Sequence, residues 1–203
     1  MTTSAKHQTG LLASMHRARA AQPLLWLCVL VLIAGCAAIG PRSQDAPGSA
    51  ERPTEAFRAH HAEIQQHLGH IDAMAVALRR QPPEEQRSTM KRAVAFLKEH
   101  VAAHAADEER VLYPVVQRES GPGSQLTTVP IYEHCIVERL IAALEQEASK
   151  PTPDAAAFAL TAHHLTGLLF AHFEVEEEVL LPVLDQAMTP EQFQREVADK
   201  MPH

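Results

Sequence analysis

From residue 54 onward, apolar residues recur at intervals of three and four, the spacing that lines one face of a helix. The first stripe runs Phe57, His61, Ile64, Leu68, Ile71, Ala75, Leu78, with Thr54 placed to cap it and Gln81-Pro82-Pro83 to stop it. A second runs Met90, Val94, Leu97, Val101, His104, Glu108, Val111/Leu112, Val115, opened by Glu84 and Glu85, which suit a positive helix N-terminus. Pro114 is expected to kink or end that helix. Ser120-Gly121-Pro122-Gly123-Ser124 reads as a loop. The third stripe starts near Thr128, with Pro130 tolerated in the first turn, and holds Ile131, His134, Val137/Glu138, Ile141, Leu144. Thr152-Pro153-Asp154 is a good cap and first turn for a fourth, carrying Phe158, Leu165, Leu168/Leu169, His172, Glu176, Val179/Leu180, Val183. Four long helices joined by short connections predict antiparallel neighbours, hence an all-α, up-down-up-down four-helix bundle over residues 54–186. Thr189-Pro190-Glu191-Gln192 marks a short capped helix in a tail over 187–203.

The pattern repeats. Residues 104–116 align without a gap on residues 172–184, and seven of the thirteen positions are identical. Those seven are the His, two Glu, a Val-Leu pair, a Pro and a Val. Residues four apart share a helix face, so His104 with Glu108 and His172 with Glu176 each form a two-pronged chelate within an apolar stripe. His61 and His134 stand on the stripes of the other two helices, so helices one and two are echoed by three and four. Burying such groups is costly unless something binds them. Four inward imidazoles and two inward carboxylates at one level make a cage for two cations, with carboxylates bridging and imidazoles terminal. Glu138, one turn after His134, is expected as a third inward carboxylate, whereas the matching residue on the first helix is Gln65. The same N/O set accepts iron, manganese or zinc. Any one of these histidines taken alone reads as readily as a core residue; the matched sextet does not. His100 and His164 are expected to be ordinary buried histidines, with pocket lining or metal binding as the alternative; Cys135 a small buried hydrophobe; and Tyr132 a packing residue, with a pocket phenol as the alternative. Glu109 and Glu177 read as an acidic outer face, or as acceptors that orient a ligand histidine.

Composition supports the helical reading: 46% of the 203 residues are hydrophobic and only 4% aromatic. Residues 1–35 stand apart from the fold. They hold Lys6, Arg17 and Arg19 and no acid, followed by an apolar run from Leu24 to Ala34, too short for a comfortable membrane span. The run ends in Ile33-Ala34-Gly35-Cys36, which resembles a bacterial lipoprotein signal cut before a lipidated Cys36. Ala37 after the cysteine resembles the sorting residue of proteins held at the outer membrane, so the domain is expected on the periplasmic side. Met15 is a second plausible start, and an uncleaved membrane anchor is the alternative to cleavage. Residues 36–53 are polar and rich in Pro, Gly and Ser, a flexible tether. The net charge of −7 becomes roughly −10 once residues 1–35 are removed, which argues against nucleic acid as a partner. With Cys28 in the signal and Cys36 lipidated, Cys135 has no partner for a disulfide.

Four motifs together carry a family resemblance. They are His61-x-x-Ile64; His104-x-x-x-Glu108-Glu109 followed by Leu112-Tyr113-Pro114; Glu133-His134; and His172-x-x-x-Glu176-Glu177 followed by Leu180-Leu181-Pro182. Over residues 54–186 the chain resembles the hemerythrin-like, HHE cation-binding domains. The resemblance implies two non-haem iron ions, oxo- or hydroxo-bridged, that bind O2 or NO, or sense or store iron. Carried over by position, His61 and His104 hold one iron, His134, His172 and Glu138 the other, and Glu108 and Glu176 bridge them. Oxygen-carrying members have a histidine where this chain has Glu138, and they place the second bridging carboxylate five residues after its His, where this chain has Glu177. An added carboxylate favours ferric iron, which speaks against reversible oxygen carriage. The alternative is an enzyme of the same fold, a di-iron oxidase or peroxidase acting on peroxide, or an NO-consuming protein.

Overall fold

A computed structural model describes residues 52–201, so the signal, Cys36 and most of the tether lie outside the described residues. Within them the chain is all-helical and no strand is present. Helix α1 is Glu55–Leu78. Helix α2 spans 83–119 without a break in helical backbone, but two of its turns, Leu97–Ala102 and Glu108–Leu112, are π turns. Helix α3 is Thr128–Ser149. Helix α4 spans 155–187 and carries one π turn, Glu176–Leu180. Helix α5, Pro190–Glu196, and a 3₁₀ turn, Ala198–Lys200, close the described chain. The count is therefore five helices, the fifth being short. Helix α4 runs along both α1 and α3, and α2 runs along α3.

The capping signals have mixed outcomes. Asp154 accepts from the backbone N–H groups of Ala156 and Ala157 and so caps α4. Thr189 and Gln192 form a reciprocal capping box at the start of α5. Thr54 does not cap α1; its backbone N–H and its hydroxyl instead donate to Asp185 on α4, at 3.0 and 2.8 Å. That carboxylate also meets Arg58 at 3.3 Å, and Arg58 Nε donates to the Thr54 hydroxyl oxygen, the atom a cap would need as acceptor. The loop between α2 and α3 turns on Gly121 and Gly123, both at positive φ, where a β-carbon would be strained.

Pro114 does not end α2, and Pro182 does not end α4. A proline inside a helix cannot donate to the carbonyl four residues back, and its ring crowds that carbonyl. Both helices solve the problem by widening the turn just before the proline: Tyr113 N–H reaches Glu108 O and Leu181 N–H reaches Glu176 O, five residues back. The extra residue delays the buried stripe by one. In α4, Leu180, Leu181 and Leu184 are buried while Val179 is 43% exposed, so Val179 and Val183 do not continue the stripe as regular spacing predicts.

The apolar interior is divided into two clusters. One holds Ile64 to Leu78 of α1, Met90 to Val101 of α2, Val137 to Ala148 of α3 and Phe158 to Phe173 of α4. The other holds Phe57, residues 111–116 of α2, Leu180, Leu181 and Leu184 of α4, and Phe193, Val197 and Met201 of the tail. Between them lies a polar layer to which each long helix contributes.

Candidate metal centre

That layer consists of His61, His104, Glu108, His134, His172 and Glu176, none more than 3% exposed. Each arrives there by helix periodicity: every one stands where the apolar stripe would place a core residue. His61 and His104 face each other with their Nε2 atoms 3.1 Å apart, and so do His134 and His172. Glu108 lies between the two pairs. Its Oε1 is 2.8 Å from His104 Nε2 and 3.4 Å from His61 Nε2, while its Oε2 is 3.2 Å from His134 Nε2. Glu176 Oε2 is 3.5 Å from Nε2 of His61 and of His172, one from each pair. Two sets of ligand atoms are close enough to hold an ion, His61/His104/Glu108 and Glu108/His134/His172, and they share the Glu108 carboxylate.

The far sides of the rings fix which nitrogens face inward as lone pairs. His61 Nδ1 donates to Glu177 at 3.2 Å, His134 Nδ1 to Glu109 at 2.9 Å and His172 Nδ1 to Glu133 at 3.0 Å. A neutral imidazole that donates from Nδ1 presents a bare lone pair at Nε2. His134 and His172 would then aim lone pair at lone pair across 3.1 Å, which is repulsive without a cation to receive both. Glu176 Oε2 is likewise buried with no hydrogen-bond donor. The donor set, neutral imidazole nitrogen with carboxylate oxygen, is one that divalent iron, manganese and zinc accept. The residues fit a pair of metal ions.

Without metal, protons take the place of cations. Burial pushes His61 down, but the hydrogen bonds and charges of Glu108 and Glu177 outweigh it and leave its pKa raised. His134 behaves alike: burial lowers it, and Glu108 with Glu109 raise it further. Burial also favours a neutral Glu108, yet the His104 imidazole and hydrogen bonds from His104, His134 and His61 hold it well below the usual carboxylate range. Glu176 goes the other way, raised well above that range by burial and by the charge of Glu108 beside it. His172 is lowered, chiefly by burial. Positive charge is wanted at the layer, and the metal-free protein supplies it by holding protons.

One expected ligand is not there. Glu138 is exposed and Val137 is 1% exposed in its place on α3. Positions three and four after an inward residue lie about equally far from it around the helix, and the apolar one takes the buried place. The layer therefore has two inward carboxylates, not three. His100 and His164 are exposed rather than buried, Cys135 is exposed, and Tyr132 is 62% exposed.

Regular spacing missed Tyr113. It is 2% exposed, and its hydroxyl donates to Glu176 Oε1 at 2.6 Å and lies 3.2 Å from His134 Nε2, the ring stacked on that of His134. Burial first, then the charges of Glu108 and Glu176, push its pKa far upward, so it stays a phenol and a donor. The signal was present in the sequence as Tyr113-Pro114: a proline forces a wide turn, and the wide turn carries the residue before it inward. The opposite end of the cage is apolar, with Phe173 4.6 Å from His61 and Phe57 stacked at 5.4 Å on His104.

A family model described as the hemerythrin HHE cation binding domain matches residues 52–184. Comparison with curated proteins and with solved structures gives no significant match.

Proposed function

The chain belongs to the hemerythrin HHE cation-binding family, and from that premise we propose that it is a binding protein built around two non-haem iron ions, taking up O2 or NO or sensing iron. His61 and His104 would hold one ion and His134 and His172 the other, with Glu108 and Glu176 within reach of both pairs. The observation that carries the reading is the Glu108 carboxylate, with one oxygen at the His61/His104 pair and the other at His134. Iron, when bound, would supply affinity for diatomic ligands. The rest of the chain's part is to orient the imidazoles through Glu109, Glu133 and Glu177, to hold Glu176 through Tyr113, and to keep water out with Phe57 and Phe173.

In this reading the four long helices form the up-down-up-down bundle that their short connections favour, with α1 and α2 repeated by α3 and α4. The oxidase or peroxidase alternative drew on a carboxylate-enriched cage. With Glu138 exposed, that argument loses its residue, and so does the argument against reversible binding. From the lipoprotein-like Ile33-Ala34-Gly35-Cys36 we infer a domain outside the cytoplasm, tethered through Cys36 to the outer membrane.

The test is metal content and visible spectrum of the full chain purified in air. About two irons per chain, with near-ultraviolet bands that shift on adding azide, support the reading. Zinc alone, or no metal with the helical content intact, overturns it. Stoichiometric, reversible uptake of O2 or NO favours a binder, and sustained turnover of H2O2 or NO favours the enzyme.

A further inference from the structure

The hydrogen bonds behind the cage follow the internal repeat. Glu109 and Glu177, equivalent residues on α2 and α4, accept from His134 and His61, equivalent residues on α3 and α1. Glu133, directly before His134, accepts from His172 on the next helix. The repeat then requires residue 60, directly before His61, to serve His104. Residue 60 is a histidine. Its ring is 5.0 Å from the His104 ring, centroid to centroid, and the nitrogens His60 Nε2 and His104 Nδ1 are both buried without a hydrogen-bond partner. Three of the four imidazoles are thus backed by a carboxylate, and the fourth by a ring that carries no negative charge. On its other side His104 meets Phe57, which offers no acceptor.

A carboxylate on the outer N–H of a ligand histidine holds the ring in register and makes the inner nitrogen more basic. His104 receives neither effect. Resting on the di-metal reading above, we propose that His60, standing where the repeat calls for a supporting carboxylate, makes the two metal positions unequal. The His134/His172 position, with both imidazoles carboxylate-backed, retains its ion. The His61/His104 position, with one, is the looser position and the one that exchanges. Each pair faces at the same 3.1 Å and each touches Glu108 and Glu176. The difference lies behind the cage. Losing one such supporting carboxylate typically costs about 10–100-fold in metal affinity.

The test is titration of the metal-free full chain with Co2+, followed by visible absorption and calorimetry. Two equivalents should bind in two resolved steps whose dissociation constants differ by about tenfold or more. His60→Glu supplies the missing carboxylate and should tighten the weaker step, narrowing the gap. Glu133→His removes the matching carboxylate from His172 and should weaken the stronger step until the two merge. These variants shift affinity in opposite directions, whereas damage to the fold weakens binding in both. Two equivalents binding in one unresolved step, or a gap that neither variant alters, overturns the proposal and leaves the di-metal reading standing. A chain that binds no Co2+ overturns both.

Discussion

At the scale of single residues, the cage was legible because its ligands obey the rule that shapes the core. His61, His104, Glu108, His134, His172 and Glu176 stand on apolar stripes, and a polar residue there has to be explained. Glu138 misled because spacing alone does not separate the third from the fourth residue after an inward one; the burial of Val137 decides it. Glu133 was quoted within a motif, but its role was invisible, since a residue that supports from behind sits off the stripe of its own helix. The titration pattern predicts a pH dependence. His61, His134 and Glu176 are all raised, so each holds a proton in the metal-free protein at pH values where the free group has lost it. A metal ion must displace those protons before the same atoms can donate to it. Binding should therefore weaken as pH falls, and the weakening should begin above the ordinary imidazole value of 6.5. Competition against a chelator of known pH response checks this, and affinity unchanged between pH 8 and 6 would contradict it. In the metal-free protein the sign reverses. The two raised histidines contribute stability that is full below their unfolded pKa and is lost as pH rises through their folded values.

At the scale of helices, the paired π turns are what periodicity could not supply. A stripe drawn at 3.6 residues per turn places Val111, Leu112 and Val115 of α2 correctly but omits Tyr113, and beyond Glu176 in α4 it runs one residue out. For that reason Val179 and Val183 were placed inside and Tyr113 was not. Each wide turn begins at the inward glutamate and ends two residues before a proline. The proline's steric demand thus sets the register of the residues after the ligand. Pro114→Ala relieves that demand and allows the residue at 114 to donate to Arg110 O in a regular turn. Tyr113 should then rotate away from Glu176, leaving a buried carboxylate oxygen without its donor, at a cost of about 1–3 kcal/mol. Denaturant unfolding of the metal-free protein measures it. Tyr113→Phe should produce a similar loss, and Pro114→Ala should add little on top of it. Full additivity of the two would separate the turn from the tyrosine.

At the scale of the whole molecule, the all-helical class was readable from repeat spacing and loop signals. The way the ends of the helices are tied, Thr54 to Asp185 instead of its own helix, was not, because it depends on a pairing 131 residues apart. The reading of the N-terminus as a lipoprotein signal has a direct check. Cys36→Ser should move the protein from the membrane fraction to the soluble fraction and abolish labelling by radioactive palmitate; unchanged fractionation would return the segment to an uncleaved anchor. The polar layer has a further consequence. Most helical bundles are held by one continuous apolar interior, but here two separate apolar clusters meet at a buried polar storey. Ions bound as proposed would act as a bolt through a joint, clamping the smaller end, which includes the tail helix, to the larger. Drawing the bolt with a chelator should then loosen that end first, and limited proteolysis with and without metal reads the difference.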